Sequence, residues 1–241
     1  MTHWIEADWP APENIKAYTT LRSGGVSQEP FNSLNLATHV GDNEHHVIEN
    51  RLRLQQQLKL PQQPLWLQQT HSNISVCANE NNEGIEADAI YSLQANTVCA
   101  VLTADCLPIV LCDTQGTVVA AIHGGWRGLL SGIIENTVKQ LPKTTLMAWL
   151  APAIGPQCFQ VGAEVKAAFL AKSDIFEMAF NPQTQNKYLA DIYQIARLIL
   201  QQQGVDAIYG GDYCTVSDSR FFSYRREKQT GRMATLIWRN S

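Results

Sequence analysis

No run of apolar residues in this chain approaches the roughly 18 that a membrane-crossing helix requires, so a helical membrane protein is not expected. The first ten residues contain acids but neither a basic n-region nor an apolar h-region, and they do not read as a secretory signal. Its six cysteines include no C-x-x-C pair, and most lie inside apolar segments as small hydrophobes do, which points to a reduced, cytoplasmic setting. An excess of positive charge is also missing. Against 22 acidic residues stand 18 Lys and Arg, giving a net charge of -4 and no global field for nucleic acid. The one basic cluster, Arg225, Arg226, Lys228, Arg232 and Arg239, is interrupted by Glu227 and flanked by core-like segments. It suits a small anionic group better than a polymer. There is no internal repeat, no convincing linker and no disordered composition, so residues 1–241 are expected to form one domain.

What is present is an alternation of strand-like and helix-like stretches. Apolar, β-branched runs predict strands at 15–20, around Trp66 and Val76, and at 89–92, 99–103, 108–112, 117–122 and 145–150. Helical spacing predicts helices over 46–60, where Val47, Arg51, Leu54 and Leu58 share a face, and over 129–141, ended by Pro142. Further helices are expected over 161–171 and 189–203, the last closed by Gly204, and further strands at 207–210, 213–216, 221–224 and 233–238. This pattern predicts an α+β fold with mixed sheets flanked by helices.

Four side chains stand where predicted strands end. His123 opens the turn His123-Gly124-Gly125-Trp126-Arg127-Gly128 between a strand and an amphipathic helix. Asp105 and Cys106 close the strand at 99–103, and His71 follows the segment around Trp66. Two imidazoles and a thiol form a donor set suited to zinc, with three protein ligands leaving one position for water. Their spacing is no local signature, so the sequence leaves the alternatives open: a buried structural Cys106, and a hydrogen-bonded surface or core His71. Asp105 is read as needing a partner, such as a metal-bound histidine. His39, His45 and His46 read mostly as ordinary histidines, with His39 kept as a candidate near the site. Arg127, beside a helix start, and Arg22 and Arg225 are candidate anion contacts, because a guanidinium fork can bond two oxygens. The glycine turn after Arg22 could bring backbone amides close to a ligand.

Taken together and in order, several motifs resemble the YfiH-like family, also called the laccase-domain or multicopper polyphenol oxidase-like purine nucleoside phosphorylases. They are Thr19-Thr20-Leu21-Arg22-Ser23-Gly24-Gly25-Val26-Ser27, Ser33-Leu34-Asn35-Leu36, His39-Val40-Gly41-Asp42, Gln68-Gln69-Thr70-His71, Thr103-Ala104-Asp105-Cys106, the His123 turn, Ala153-Ile154-Gly155-Pro156, Phe222-Ser223-Tyr224-Arg225-Arg226 and Thr230-Gly231-Arg232-Met233. The resemblance implies a single α+β unit comparable with cysteine hydrolases, and a metal, usually zinc, on His71, Cys106 and His123. It implies phosphorolysis of adenosine, inosine and methylthioadenosine, and deamination of adenosine to inosine. Asp105 is then a proton carrier or ligand-orienting group, and Arg22, Arg127 and Arg225 are the phosphate candidates. Ser72 and Gly124 depart from the family pattern, which more often has glycine and alanine there.

Other readings accompany this one. The six histidines contain no H-x-H pair, so true laccase chemistry is not expected, although copper could replace zinc at one site and oxidise phenols weakly. Cys106 could act as a nucleophile activated by His123 or His71, in a cytoplasmic hydrolase that edits peptidoglycan precursors. A purely structural metal in a binding module would need a fourth protein ligand, and the sequence displays none.

Overall fold

Alternation along the central strands sorts their side chains onto two buried faces, and this produces the layering of the molecule. The computed structural model describes residues 3–78 and 84–241. In β5 (Cys99–Thr103), Cys99 and Val101 face one apolar cluster while Ala100 and Leu102 face another. In β6 (Leu107–Asp113), Val110 and Cys112 join the first of these clusters, while Ile109 and Leu111 enter a third. Both strands are buried on two faces, which is why they read as continuous apolar runs.

A four-stranded antiparallel sheet runs in the order β1 (Trp4–Glu6), β2 (Ile15–Thr20), β13 (Met233–Arg239), β5. A six-stranded mixed sheet has the order β12 (Ala207–Gly210), β8 (Leu146–Leu150), β6, β7 (Val119–Gly124), β4 (Ala89–Ser92), β3 (Ser75–Cys77). Ile15, Ala17, Val101 and Ile237 from the first sheet meet Val110, Ala121 and Trp149 from the second. On the outer face of the smaller sheet lies α1 (Glu44–Leu58), capped by Asn43 and contributing Leu54. The outer face of the larger sheet is covered by α2 (Trp126–Ser131), α3 (Ile133–Gln140), α4 (Ala163–Lys172) and α5 (Ile192–Gln202). A three-stranded sheet of β9 (Gln160–Gly162), β10 (Phe180–Pro182) and β11 (Lys187–Ala190) lies beside α4. The expected single α+β domain of mixed sheets and helices is therefore observed.

Strands expected at 15–20, 89–92, 99–103 and 207–210 form with those bounds. The helix expected over 129–141 is two helices. Gly132 adopts φ 96 and stops α2, its N–H reaching back to the carbonyls of Gly128 and Leu129, and α3 starts at the next residue. Apolar periodicity carries across this break because Leu129, Ile133 and Ile134 all enter the same core. The helix expected from 189 starts at Ile192: Leu189 and Ala190 end β11, and the Asp191 carboxylate accepts the Gln194 N–H at 2.9 Å as an N-cap. Residues 213–216 and 221–224 are not strands. Cys214 forms one isolated bridge to Ala153, and Phe221 and Phe222 are buried in a turn ending at α6 (Tyr224–Glu227). Their apolarity reflects burial of a loop anchor rather than sheet pairing.

Candidate metal centre

Antiparallel pairing of β7 with both β4 and β6 lays the end of β7 beside the starts of its neighbours. Pro108 pairs with His123 and Leu107 with Gly124, so Cys106, one residue before β6, lies beside the His123 turn. Asp88, one residue before β4, accepts the His123 backbone N–H through its own carbonyl at 2.7 Å. His71 arrives on the loop before β3. Its backbone is left-handed, with φ 62, and so is that of Asp105, with φ 87, an uncommon conformation for residues with a side chain.

The Asp88 carboxylate holds these pieces together. It accepts the His123 Nδ1–H at 2.6 Å, the backbone N–H groups of Thr70, His71 and Ser72, and the Ser72 hydroxyl at 2.7 Å. Burial raises the pKa of this carboxyl, but the bonds from His123 and Ser72 outweigh it and hold the value at about 2. With Nδ1 donating to Asp88, Nε2 is the His123 nitrogen that a metal could take once it gives up its proton. Through its hydroxyl, Ser72 adds a side-chain donor to this clamp.

His71, Cys106 and His123 converge, their ligand atoms all lying within 4.8 Å of one another. Cys106 Sγ is 3.7 Å from His71 Nε2, close to the ~3.6 Å expected between sulfur and nitrogen ligands of one tetrahedral zinc. The set grades from exposed His71 through Cys106 to buried His123, and among the described residues no fourth His, Cys, Asp or Glu completes it. Burial pushes the Cys106 thiol up, but His123 and His71 outweigh this and bring it to about 6. Burial lowers His123, and the Cys106 thiolate and Asp88 more than reverse that, to about 9. The thiol thus favours the deprotonated state in which cysteine ligates metals. By contrast, burial raises Cys112 to about 12 and drives Cys99 higher still, as inert core cysteines.

Two clefts share His71, Ala104, Cys106 and Tyr224 as a common wall. The first, about 270 Å³, is also lined by His39, Gln69, Thr103 and Arg232. The second, about 250 Å³, adds Asp105, Trp126, Arg127, Phe159 and Arg225. His39, Arg127 and Arg225 are thus brought to the site. Arg127 is exposed and stacks over Trp126, whereas Arg225 donates to the Cys158 and Gln160 carbonyls. Arg22 lines neither cleft. Its guanidinium bonds Glu227 at 2.6 Å and Asn32. The glycine turn after Arg22 packs inward: the amides of Gly25, Val26 and Ser27 donate to Ser33 Oγ, Asn50 Oδ1 and the Ser33 carbonyl. These amides hold a loop together rather than approach a ligand.

Asp105 is buried, and its carboxylate accepts the Thr215 hydroxyl and the Arg225 backbone N–H, both at 2.6 Å. The carboxylate that orients a histidine is Asp88, which sequence reasoning missed. Its signal was available in principle, as an acid just before the predicted strand at 89–92. Arg232, Gln69 and Tyr224 were also missed as cleft residues, although Arg232 had been noted in the basic cluster.

Fold and site together define a class of protein: a mixed α+β domain with a His-Cys-His cluster where two clefts meet. The chain belongs to the family described as multi-copper polyphenol oxidoreductase laccase, whose model matches residues 16–240. It is 50% identical, over 99% of both chains, to a Shigella flexneri protein named purine nucleoside phosphorylase YfiH. It is 49% identical, with the same coverage, to the protein of that name from Escherichia coli K12. The crystal structure of the Neisseria meningitidis protein NMB0706 superposes with a TM-score of 0.95 at 48% identity, covering all of both chains. YlmD from Geobacillus stearothermophilus gives 0.91 at 28% identity, covering 100% of this chain and 97% of its own. The motif resemblance thus extends across the whole fold.

Proposed function

We propose that this chain is a zinc-dependent purine nucleoside phosphorylase of the reduced cytoplasm, acting on adenosine, inosine and methylthioadenosine and also deaminating adenosine. The observation that carries this reading is the convergence of His71, Cys106 and His123 where two clefts meet, with His71 and Cys106 on the wall they share and His123 in the lining of the first. Relatives about half identical over their full length carry the phosphorylase name, which supports the reaction class. Six free cysteines, and the lack among the described residues of any helix long and apolar enough to cross a membrane, fit the setting.

In phosphorolysis a phosphate oxygen bonds to C1′ of the ribose as the bond from C1′ to the purine nitrogen breaks, and the departing base takes up a proton. His71, Cys106 and His123 would hold zinc, which supplies a Lewis acid and lowers the pKa of water for the deaminase activity. Trp126, Phe159 and Tyr224 give the second cleft the aromatic walls a purine stacks on. Arg127 and Arg225 are its substrate-contacting cations. Asp105 acts by positioning, since its carboxylate fixes the Arg225 amide and hence the segment bearing Tyr224. Arg22 acts at one remove, through its ion pair to Glu227 in the same short helix as Arg225.

Metal-analysed protein should release base from adenosine and inosine only when phosphate is present. Cys106→Ala should lose both zinc and activity. Zinc-loaded wild-type protein that leaves both nucleosides intact would sink the proposal.

One observation favours a second reading. Cys106, His123 and Asp88 are linked as a thiol, an imidazole and an orienting carboxylate, the arrangement of a cysteine nucleophile, as an editing hydrolase would need. Iodoacetamide separates the two: alkylation of Cys106 without displacement of bound metal supports the hydrolase, and protection by zinc supports the ligand role. Copper at the same three ligands is the oxidase alternative, which metal analysis of purified protein distinguishes.

A further inference from the structure

The arginines of this chain differ in what they are paired with. Arg22, Arg53, Arg220 and Arg226 each form an ion pair with a carboxylate. Arg225 bonds two carbonyls, and Arg127 keeps its charge in solvent over Trp126. Arg232 differs from all of these. It precedes β13, and the pairing of Met233 with Thr103 sets it at the wall of the first cleft. No carboxylate pairs with it among the described residues. Nη1 donates to the carbonyls of Thr230 and Gly231, at 2.8 and 3.1 Å, and among the described residues Nε and Nη2 have no hydrogen-bond partner. Burial depresses its pKa, with Cys106, Asp105 and Tyr224 opposing the shift.

A desolvated guanidinium without an anion is costly, and a cleft beside it is where a ligand can supply one. A second group in the same wall lacks a partner. The Thr103 hydroxyl belongs to a residue only 2% exposed, and among the described residues its Oγ1 has no hydrogen-bond partner. His39 lines the same cleft, and burial together with Arg232 and Arg51 lowers its pKa, so a neutral imidazole faces these cations. Gln69 is committed elsewhere, since its amide pairs with both backbone groups of Leu102.

We propose that the first cleft is the tetrahedral-oxyanion subsite, in which Arg232, the Thr103 hydroxyl and His39 bind inorganic phosphate beside the Cys106 wall. The role expected of Arg22, Arg127 and Arg225 then passes to Arg232, and the second cleft is left to the nucleoside. The assignment to a co-substrate rests on the phosphorylase reading, but the binding of phosphate can be measured without it.

The test is titration of zinc-loaded protein with inorganic phosphate, followed by calorimetry and by ³¹P line broadening, alongside steady-state kinetics. Arg232→Gln should weaken phosphate binding and raise the phosphate KM by about 10- to 100-fold, as expected for loss of a charge-assisted contact, with the nucleoside KM little changed. Arg232→Lys should restore part of the affinity. Thr103→Val removes a hydroxyl with no hydrogen-bond partner among the described residues, so it should fold with an unchanged or higher Tm while still losing phosphate affinity. Phosphate binding by Arg232→Gln and Thr103→Val equal to wild type overturns the subsite, as does wild-type protein that binds no phosphate. If the protein binds phosphate through Arg232 yet cleaves no nucleoside, the subsite stands and the phosphorylase reading falls. Adenosine 5′-monophosphate serves as competitor: if it binds this cleft more tightly than the free ion, the assignment to inorganic phosphate is wrong.

Discussion

Asp88 and His123 are joined twice, by the side-chain bond from Nδ1 at 2.6 Å and by the His123 backbone N–H donating to the Asp88 carbonyl at 2.7 Å. The same carboxylate takes the His71 backbone N–H, so one buried acid fixes the position of two of the three candidate ligands. The orientation of His123 and His71 is thus tied to the ends of β4 and β7.

Asp88→Asn keeps the shape but cannot accept from all of these donors. It should weaken zinc affinity by roughly 10- to 100-fold, the usual effect of removing an outer partner of a ligating histidine. Competition with a chromophoric chelator measures this directly, and wild-type affinity in the variant would show that the clamp is dispensable.

Two adjacent glycines should respond differently to alanine. A Cβ at Gly125 would lie 2.6 Å from His71 Cδ2 and 3.3 Å from Cys106 Sγ, so Gly125→Ala should displace the exposed His71 ring and reduce zinc loading while the fold persists. A Cβ at Gly124 would lie 2.8 Å from the Leu107 carbonyl, which is backbone within the sheet, so Gly124→Ala should lower Tm. Thermal melts read beside metal content separate the two, and a Gly125→Ala protein with full zinc occupancy contradicts the geometry.

In metal-free protein near pH 7, iodoacetamide should modify Cys106 well before Cys99 or Cys112, because the neighbouring histidines lower its thiol to about 6 while burial raises the other two. Zinc should slow the reaction. Peptide mass spectrometry over a time course gives the order, and equal rates at Cys106 and Cys112 would refute the assignment.

Asp113 provides a pH test away from the metal centre. Burial raises its carboxyl, but bonds from the Thr117 hydroxyl and the Thr117 and Val118 amides outweigh this and lower it. A depressed folded pKa stabilises the protein above the unfolded value of about 3.9, and that contribution is lost as pH falls through the folded value. Asp113→Asn should therefore be less stable than wild type at neutral pH, with the gap narrowing below about pH 4. Denaturant melts at several pH values measure it, and a gap independent of pH would count against the linkage.

Much of the fold was legible because buried strands and amphipathic helices leave strong local patterns. Strands such as 89–92 and 99–103 appear with the expected bounds, as the Ala-Ile-Tyr-Ser and Cys-Ala-Val-Leu-Thr segments require a sheet buried on both faces. Where the reading failed, a single residue had overridden the pattern: Gly132 splitting a helix, or Asp191 capping one two residues after Leu189. At 221–224, burial of Phe221 and Phe222 in a turn mimicked a strand, because apolarity reports burial and not pairing.

By itself the sequence determined the donor chemistry: two imidazoles and a thiol at strand ends, unpaired cysteines, and no basic field for a polymer. Motif order determined the family. Only the tertiary structure decided which groups meet. Antiparallel pairing of β7 with β4 and β6 brings residues 71, 88, 106 and 123 to one edge, and Asp88 rather than Asp105 becomes the orienting carboxylate. It also decided that Arg22 is held by Glu227 while Arg232 stands unpaired at a cleft. Which charge is neutralised depends on through-space neighbours, and those are set by sheet register and loop packing across long stretches of chain, which no local spacing encodes.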